Sequence, residues 1–172
     1  RRIKEQVPLK ICVSVGFVDH VQADLLKTAG VDRLHHNVNT SENFYPQICT
    51  THSYADRLET IAVAGSIGLP VCSGLIVGMG ERPEDIVSTA LRLKELAVAC
   101  VPMNFYMPID GAPLGRRSAL SVDYCLRVLC LMRLVNPQAE LCLAAGRELY
   151  LRSVQPLVLQ VVQAKRVKRP DM

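Results

Sequence analysis

Short runs rich in Val, Ile and Leu alternate along this chain with longer segments whose apolar residues recur at helical spacing. Runs at 9–15, 31–39, 70–77, 100–107 and 139–146 read as strands, and segments 19–30, 53–68, 82–97, 121–135 and 148–165 read as helices. The punctuation agrees. Gly30 stops the first helix, Ser53 can cap the second, Pro83 and acidic residues open the third, and Ser121 precedes the fourth. Pro156 is expected to kink or break the last. Such alternation implies parallel strands joined by helical crossovers. Two architectures accept it: an open doubly wound sheet, or an arc of a TIM-type (βα)8 barrel. A complete barrel takes typically about 250 residues, so 172 residues hold only part of one.

The faces of the strands separate the two. Alternate residues of a strand point to opposite sides. Ile11, Val13 and Val15, then Leu34 and Val38, Val71, Leu75 and Val77, and Val101, Met103, Phe105 and Met107 form one apolar face. Opposite them lie Cys12 and Ser14, Arg33, Asn37 and Asn39, Cys72, Gly74 and Ile76, and Asn104 and Tyr106. Arg147 lies just past the fifth strand, and His36 breaks the pattern by falling on the apolar face. A sheet covered by helices on both sides would bury that polar set without partners. A barrel lumen with chemistry at the C-terminal strand ends accommodates it. The expected fold is therefore an α/β chain of parallel (βα) repeats forming a barrel arc.

Composition excludes other classes. Hydrophobic residues make up 49% of the chain, which favours a folded domain. No apolar run approaches the roughly 18 residues of a membrane span. The charged start, RRIKEQVPLK, does not resemble a signal peptide. The net charge of +4 owes much to Lys165, Arg166, Lys168 and Arg169, so the body is near neutral and no nucleic-acid partner is expected. Residues 1–160 are expected to form the domain and 161–172 a basic tail. Seven cysteines without a CxxC pair argue against a zinc ribbon, and reduced thiols in a cytosol-like compartment are the expectation.

Cys12, Cys72 and Arg147 come from three strands and are expected to point into one lumen. Thiolates are soft donors that suit copper, zinc or iron–sulfur clusters, and two alone do not complete a tetrahedral site. The plainer alternative is two ordinary buried cysteines and a structural arginine. Asn37, Asn39 and Asn104 offer amide groups on the same side, which suits a polar ligand held at its edges. The Gly-rich turn GLIVGMGE, at 74–81, lacks the Lys–Ser/Thr ending of a P-loop and is not G-x-G-x-x-G. Its glycines are expected to let a flat ligand ring approach the backbone.

Four separate stretches, HNVNTSENFYPQICTTHSYADRLETI (36–61), VCSGLIVGMGE (71–81), VPMNFYMPIDGAPL (101–114) and AAGRELYLRSVQPL (144–157), resemble the biotin synthase family of radical S-adenosylmethionine (SAM) enzymes. ICVSVGF (11–17) fits the same register, and the similarity runs from about residue 7 to 159. The resemblance implies a (βα)8 barrel, covered here from about its third to its seventh strand. The implied chemistry is insertion of sulfur into dethiobiotin. A [4Fe–4S] cluster cleaves SAM, the 5′-deoxyadenosyl radical abstracts hydrogen, and a [2Fe–2S] cluster donates sulfur. By resemblance Cys12, Cys72 and Arg147 would hold the [2Fe–2S] cluster with one further cysteine outside this chain. Asn37, Asn39, Arg57, Gly74, Ile76 and Gly78 would contact SAM, and Asn37 and Asn104 the ureido ring of dethiobiotin. The cofactors carry the hard chemistry, so no side chain is assigned as acid or base. An electron donor such as flavodoxin or ferredoxin, a homodimer, and a cytoplasmic or organellar-matrix location are further implications.

The chain departs from the family in three places. The CxxxCxxC motif that holds the [4Fe–4S] cluster is absent, Asn39 stands where many members have an acid, and VVQAKRVKRPDM replaces the expected last strand. The chain thus reads as an incomplete portion, without competence of its own to cleave SAM. Two other readings stay open: another radical SAM enzyme, such as a maturase of iron-only hydrogenase, or a truncated, non-catalytic chain.

Overall fold

The computed structural model describes residues 2–115 and 120–163. Their elements are α1 (Arg2–Gln6), β1 (Cys12–Val13), α2 (His20–Thr28), β2 (Arg33–His35), α3 (Tyr54–Ser66), β3 (Val71–Cys72), β4 (Leu75–Val77), α4 (Pro83–Glu95), β5 (Cys100–Phe105), α5 (Val122–Val135), β6 (Glu140–Leu143), α6 (Arg147–Tyr150) and α7 (Gln155–Gln163). All strand pairings are parallel. β3 and β4 both pair with β5 and are halves of one interrupted strand, so the order across the sheet follows the order along the chain. A doubly wound sheet reverses its strand order at a switch point. Without such a reversal among the described residues, the arrangement is that of a barrel arc.

The helices form where expected because their ends carry the right groups. Asp19 and Gln22 close a capping box on α2, and Ser53 and Asp56 close one on α3. Ser121 accepts from the Tyr124 N–H at the start of α5. The apolar face of the sheet packs beneath these helices. Leu34, Val38, Leu75, Val77, Val101, Met103 and Phe105 join Ile61, Ile86, Leu93, Leu129 and Met132 in one buried core.

The interruption between β3 and β4 has a cause that sits on another strand. Pro102 lies in the middle of β5 and has no N–H to give its neighbour. The break at Ser73–Gly74 falls opposite it. A Cβ on Gly74 would stand 1.8 Å from the Pro102 carbonyl oxygen, so only glycine fits. Side chains replace the lost ladder bonds on the β2 side. The Val38 N–H donates to Ser73 Oγ at 3.1 Å, and the Gly74 N–H donates to Asn37 Oδ1 at 2.9 Å. Asn39, in the left-handed region at φ 69°, then bridges to Leu75.

Two further contacts tie distant parts together. The buried Ser41 hydroxyl, in the loop after β2, donates to Asp85 Oδ1 at 2.6 Å, and Asp85 also accepts from the Arg82 N–H at the start of α4. The Ser41 bond holds the Asp85 carboxyl below its usual range. Asp85→Asn is expected to cost about 1.5–3 kcal/mol at neutral pH, because hydrogen bonds to a charged group are replaced by weaker ones. Since the folded pKa is depressed, the wild-type advantage is fully present above the unfolded value and disappears as pH falls through the folded one. Urea unfolding of both proteins from pH 7 to 3 checks this: equal stabilities at pH 7 would rule it out. The second contact is Arg133, on α5. It is 9% exposed and donates to carbonyls of Ala139 at 3.0 Å, Val161 at 3.1 Å and Val162 at 2.6 Å.

Two expectations need correction. The first strand spans two residues, with Ser14 and Val15 exposed, because β1 is an edge with a single neighbour. The last helix is broken before Pro156: α6 ends at Tyr150, a 3-10 turn covers Arg152–Val154, and Pro156 is the second residue of α7, where its missing N–H costs nothing. α7 runs to Gln163, and residues 164–172, with most of the expected basic tail, lie outside the described residues. His36, read onto the apolar face, is indeed buried, with its ring edge-on to Phe17 at 5.3 Å.

Candidate metal and cofactor site

The face of the sheet away from the helices collects sulfur and nitrogen donors. Register does this directly: Cys12 pairs with Arg33, His35 with Cys72, Cys72 with Cys100, and Cys100 with Glu140. Paired residues in a parallel sheet project to the same side. The ligand atoms of Cys12, His35 and Cys72 accordingly lie within 4.8 Å of one another. Cys12 is exposed, His35 half-buried and Cys72 buried. Behind them, Arg33 forms a two-pronged ion pair with Glu140, at 2.6 and 3.0 Å, spanning from β2 to β6.

The electrostatics keep these groups mostly neutral. A hydrogen bond shared with Cys100, followed by burial, pushes the Cys72 thiol up, while the same bond lowers Cys100. Burial raises Cys12 against the opposing pull of Arg33. Burial lowers His35, leaving its imidazole with a free lone pair at neutral pH. Two thiols and an imidazole from three neighbouring strands are the donor set of soft and borderline metals, so these residues fit an iron–sulfur or zinc-class group.

Arg147 lies past the end of β6, at the start of α6. Gly146, at φ 81°, turns the chain out of β6, so strand parity does not extend to residue 147. Arg147 opens α6, donates to the Leu143 carbonyl at 3.0 Å and pairs with Glu148 at 3.0 Å, with its side chain 42% exposed. It sits near Cys142, whose thiol it pulls down against a larger rise from burial.

The other expected residues gather at the C-terminal ends of β2, β4 and β5. The Arg57 guanidinium donates to the Asn37 carbonyl at 2.9 Å, bonds the Tyr45 hydroxyl through Nε, and lies over the Tyr45 and Phe17 rings at 5.6 and 6.0 Å. Asn104 Nδ2 donates to the Leu75 carbonyl at 3.3 Å and its Oδ1 accepts from the Ala145 N–H at 3.1 Å. Asn37 and Asn104 thus also hold the strands together. Ile76 and Gly78 are half-buried beside them. Two of the glycines also answer to protein neighbours. Gly74 makes room for Pro102, and Gly78, at φ 99°, lies against Leu120. The loop N–H groups of Gly78 and Met79 are taken by the Glu81 carboxylate, at 2.6 and 2.8 Å, which agrees with the rejection of a phosphate loop.

His35 and Cys100 are the donors that residue-by-residue reading passed over. Both were reachable by parity: His35 lies between Arg33 and Asn37 on the lumen side, and Cys100 shares its side with Asn104.

Comparison with known proteins gives the family. Two solved structures share the fold: the FeFe-hydrogenase maturase HydG from Carboxydothermus hydrogenoformans, at TM-score 0.74 and 16% identity over 95% of this chain and 39% of its own, and methylornithine synthase (PylB), at TM-score 0.66 and 18% identity over 99% of this chain and 56% of its own. At those identities the likeness concerns the fold alone. Among curated relatives, the biotin synthase of Acaryochloris marina is 51% identical over 159 residues, which cover 92% of this chain and 46% of the relative. That of Magnetococcus marinus is 48% identical, over 92% of this chain and 50% of the relative. The chain spans about half the length of these curated relatives. Residues 102–165 match the family model of the Biotin and Thiamin Synthesis associated domain. Residues 1–93, which carry the converging thiols and the Gly-rich turn, match that of the Radical SAM superfamily, and it is to this superfamily that the chain belongs.

Proposed function

We propose that this chain forms the middle of a biotin synthase barrel, whose reaction inserts sulfur into dethiobiotin. The observation that carries the reading is the convergence of Cys12 and Cys72 within 4.8 Å on the lumen side of a barrel arc. The identity to two biotin synthases supports it. So does the first edge of the arc, where Leu9, Val15, Phe17, Val21 and Leu25 are exposed as if for a preceding (βα) unit. Bound here, SAM with its [4Fe–4S] cluster would supply hydrogen-atom abstraction, and a [2Fe–2S] cluster the sulfur.

The chain's own residues hold and orient. Cys12 and Cys72 offer two thiolates to the [2Fe–2S] cluster, and Arg147 joins them by turning from the Leu143 carbonyl. Arg57, pinned by Asn37 and Tyr45, presents a fixed cation to the SAM carboxylate. Asn39 and the backbone at Gly74, Ile76 and Gly78 flank the rest of SAM. Asn37 and Asn104, fixed by backbone partners, meet the edges of the dethiobiotin ureido ring. An electron donor of the flavodoxin or ferredoxin kind and a homodimeric assembly belong to the same reading.

A chimera tests it. The matching 159 residues of the Acaryochloris marina relative are replaced by those of this chain, and a biotin-requiring bacterium is grown on dethiobiotin. Growth is expected, and Cys72→Ala within the chimera is expected to abolish it. A soluble chimera that fails to support growth where the unaltered relative succeeds would sink the reading.

A further inference from the structure

We propose that Cys49 is a modification site: a nucleophilic thiol, backed by Thr51 and His52, that takes up a small-molecule disulfide as a mixed disulfide. It lies in the loop between the 3-10 turn at Tyr45–Gln47 and the Ser53 cap of α3, a segment that contributes none of the lumen-side thiols. The side chains of Cys49, Thr51 and His52 have no part in the proposed function, and the inference does not depend on sulfur insertion.

Two neighbours set Cys49 apart from an ordinary thiol. Its Sγ lies 3.5 Å from Thr51 Oγ1 and 3.6 Å from both ring nitrogens of His52. The imidazole is held in place: Nε2 meets the Tyr45 hydroxyl at 2.8 Å and Nδ1 meets Thr51 Oγ1 at 3.0 Å. Tyr45 is buried and is itself bonded by Arg57, so the ring has a fixed backing. Access is open. Cys49 is half-buried, Thr50 and Thr51 beside it are exposed, and His52 also lines a cleft of about 540 Å3 with Phe17, Asp56 and Thr60. The hydrogen bond from Thr51 leads a set of donors that pulls the thiol down to about 7, against a smaller rise from burial. Burial instead pushes Cys12, Cys125 and Cys142 up. An accessible thiol poised near ambient pH is the most effective attacker of a disulfide. In the exchange, the Cys49 thiolate attacks one sulfur of the incoming disulfide. An Sγ–S bond forms, the reagent's S–S bond breaks, and its second half leaves as a thiolate that takes a proton from solvent. Cys49 is oxidised and the departing half is reduced.

The test treats the 172-residue chain, reduced and then freed of reductant under anaerobic conditions, with oxidised glutathione at pH 7, and follows adducts by mass spectrometry of tryptic peptides. Trypsin separates the thiols, since residues 34–57 carry Cys49, residues 11–27 carry Cys12 and residues 128–133 carry Cys130. The glutathionyl adduct is expected on 34–57 first, at least about threefold faster than on 128–133, whose Cys130 is an exposed thiol of α5. Cys49→Ser removes that adduct and leaves the slower ones. Thr51→Val and His52→Gln are each expected to slow it at least about threefold. Circular dichroism confirms that each variant is folded. Adducts that form on Cys12 or Cys130 as fast as on Cys49, or a wild-type rate in either folded variant, overturn the proposal. Neither result bears on the growth of the chimera, so failure of this inference and failure of the proposed function are told apart.

Discussion

Gly74→Ala is expected to destabilise the chain by about 4 kcal/mol or more, and in many preparations to prevent folding, because overpacking here has no soft neighbour to absorb it. The added methyl would meet the Pro102 carbonyl oxygen at 1.8 Å and its carbon at 2.8 Å. Both belong to the backbone of a central strand bonded on either side, so neither side chain rotation nor a loop shift offers relief. Gly65→Ala is the control. Gly65 lies in α3 with nothing within 4 Å of its would-be Cβ, and alanine there should stabilise by about 0.5 kcal/mol through helix propensity. Urea unfolding midpoints decide the matter. A Gly74→Ala protein as stable as wild type would mean that β3 and β4 are held apart by something other than Pro102.

Arg133→Ala is the second large effect, a loss of about 2–4 kcal/mol, because several backbone carbonyls lose a charged donor together. The guanidinium reaches the Val161 and Val162 carbonyls of α7. It also reaches Ala139 at the entrance to β6. Removing it leaves buried carbonyls without donors. The loss should begin locally: hydrogen exchange at α7 amides is expected to accelerate before exchange in the sheet. Lysine cannot reproduce the fork and should recover only part of the stability. Uniform acceleration across the chain, or a loss below about 1 kcal/mol, contradicts this account.

How far the amino-acid pattern reveals this molecule depends on where each cause sits. Helix starts are written locally, and Ser53, Pro83 and Ser121 mark them within a residue. The barrel arc was legible because strand alternation sorted Leu34, Val71 and Val101 from Cys12 and Cys72. The split of the third strand was not, since the residue responsible, Pro102, lies on a different strand and acts across the ladder. Arg147 lies beyond the reach of alternation for a related reason: Gly146 ends the strand, and parity counted through that glycine has no meaning. Cys12 and Cys72 were paired correctly by alternation alone. His35 obeyed the same rule but sits beside a second histidine, His36, whose buried ring is pushed down to about 4 by burial and faces away from metal chemistry. Two adjacent histidines of opposite fate cannot be separated by composition, only by register.

The mended seam between β2 and the interrupted strand bears on any future alanine scan of the lumen. Asn37 serves two masters there: its side-chain oxygen stands in for a ladder acceptor, while the proposed substrate contact uses the same amide. A turnover defect in Asn37→Ala therefore conflates lost recognition with a loosened wall. Only variants matched for thermal midpoint, or Asn37→Asp, which retains the acceptor for Gly74 and discards the donor, can assign the loss to one cause.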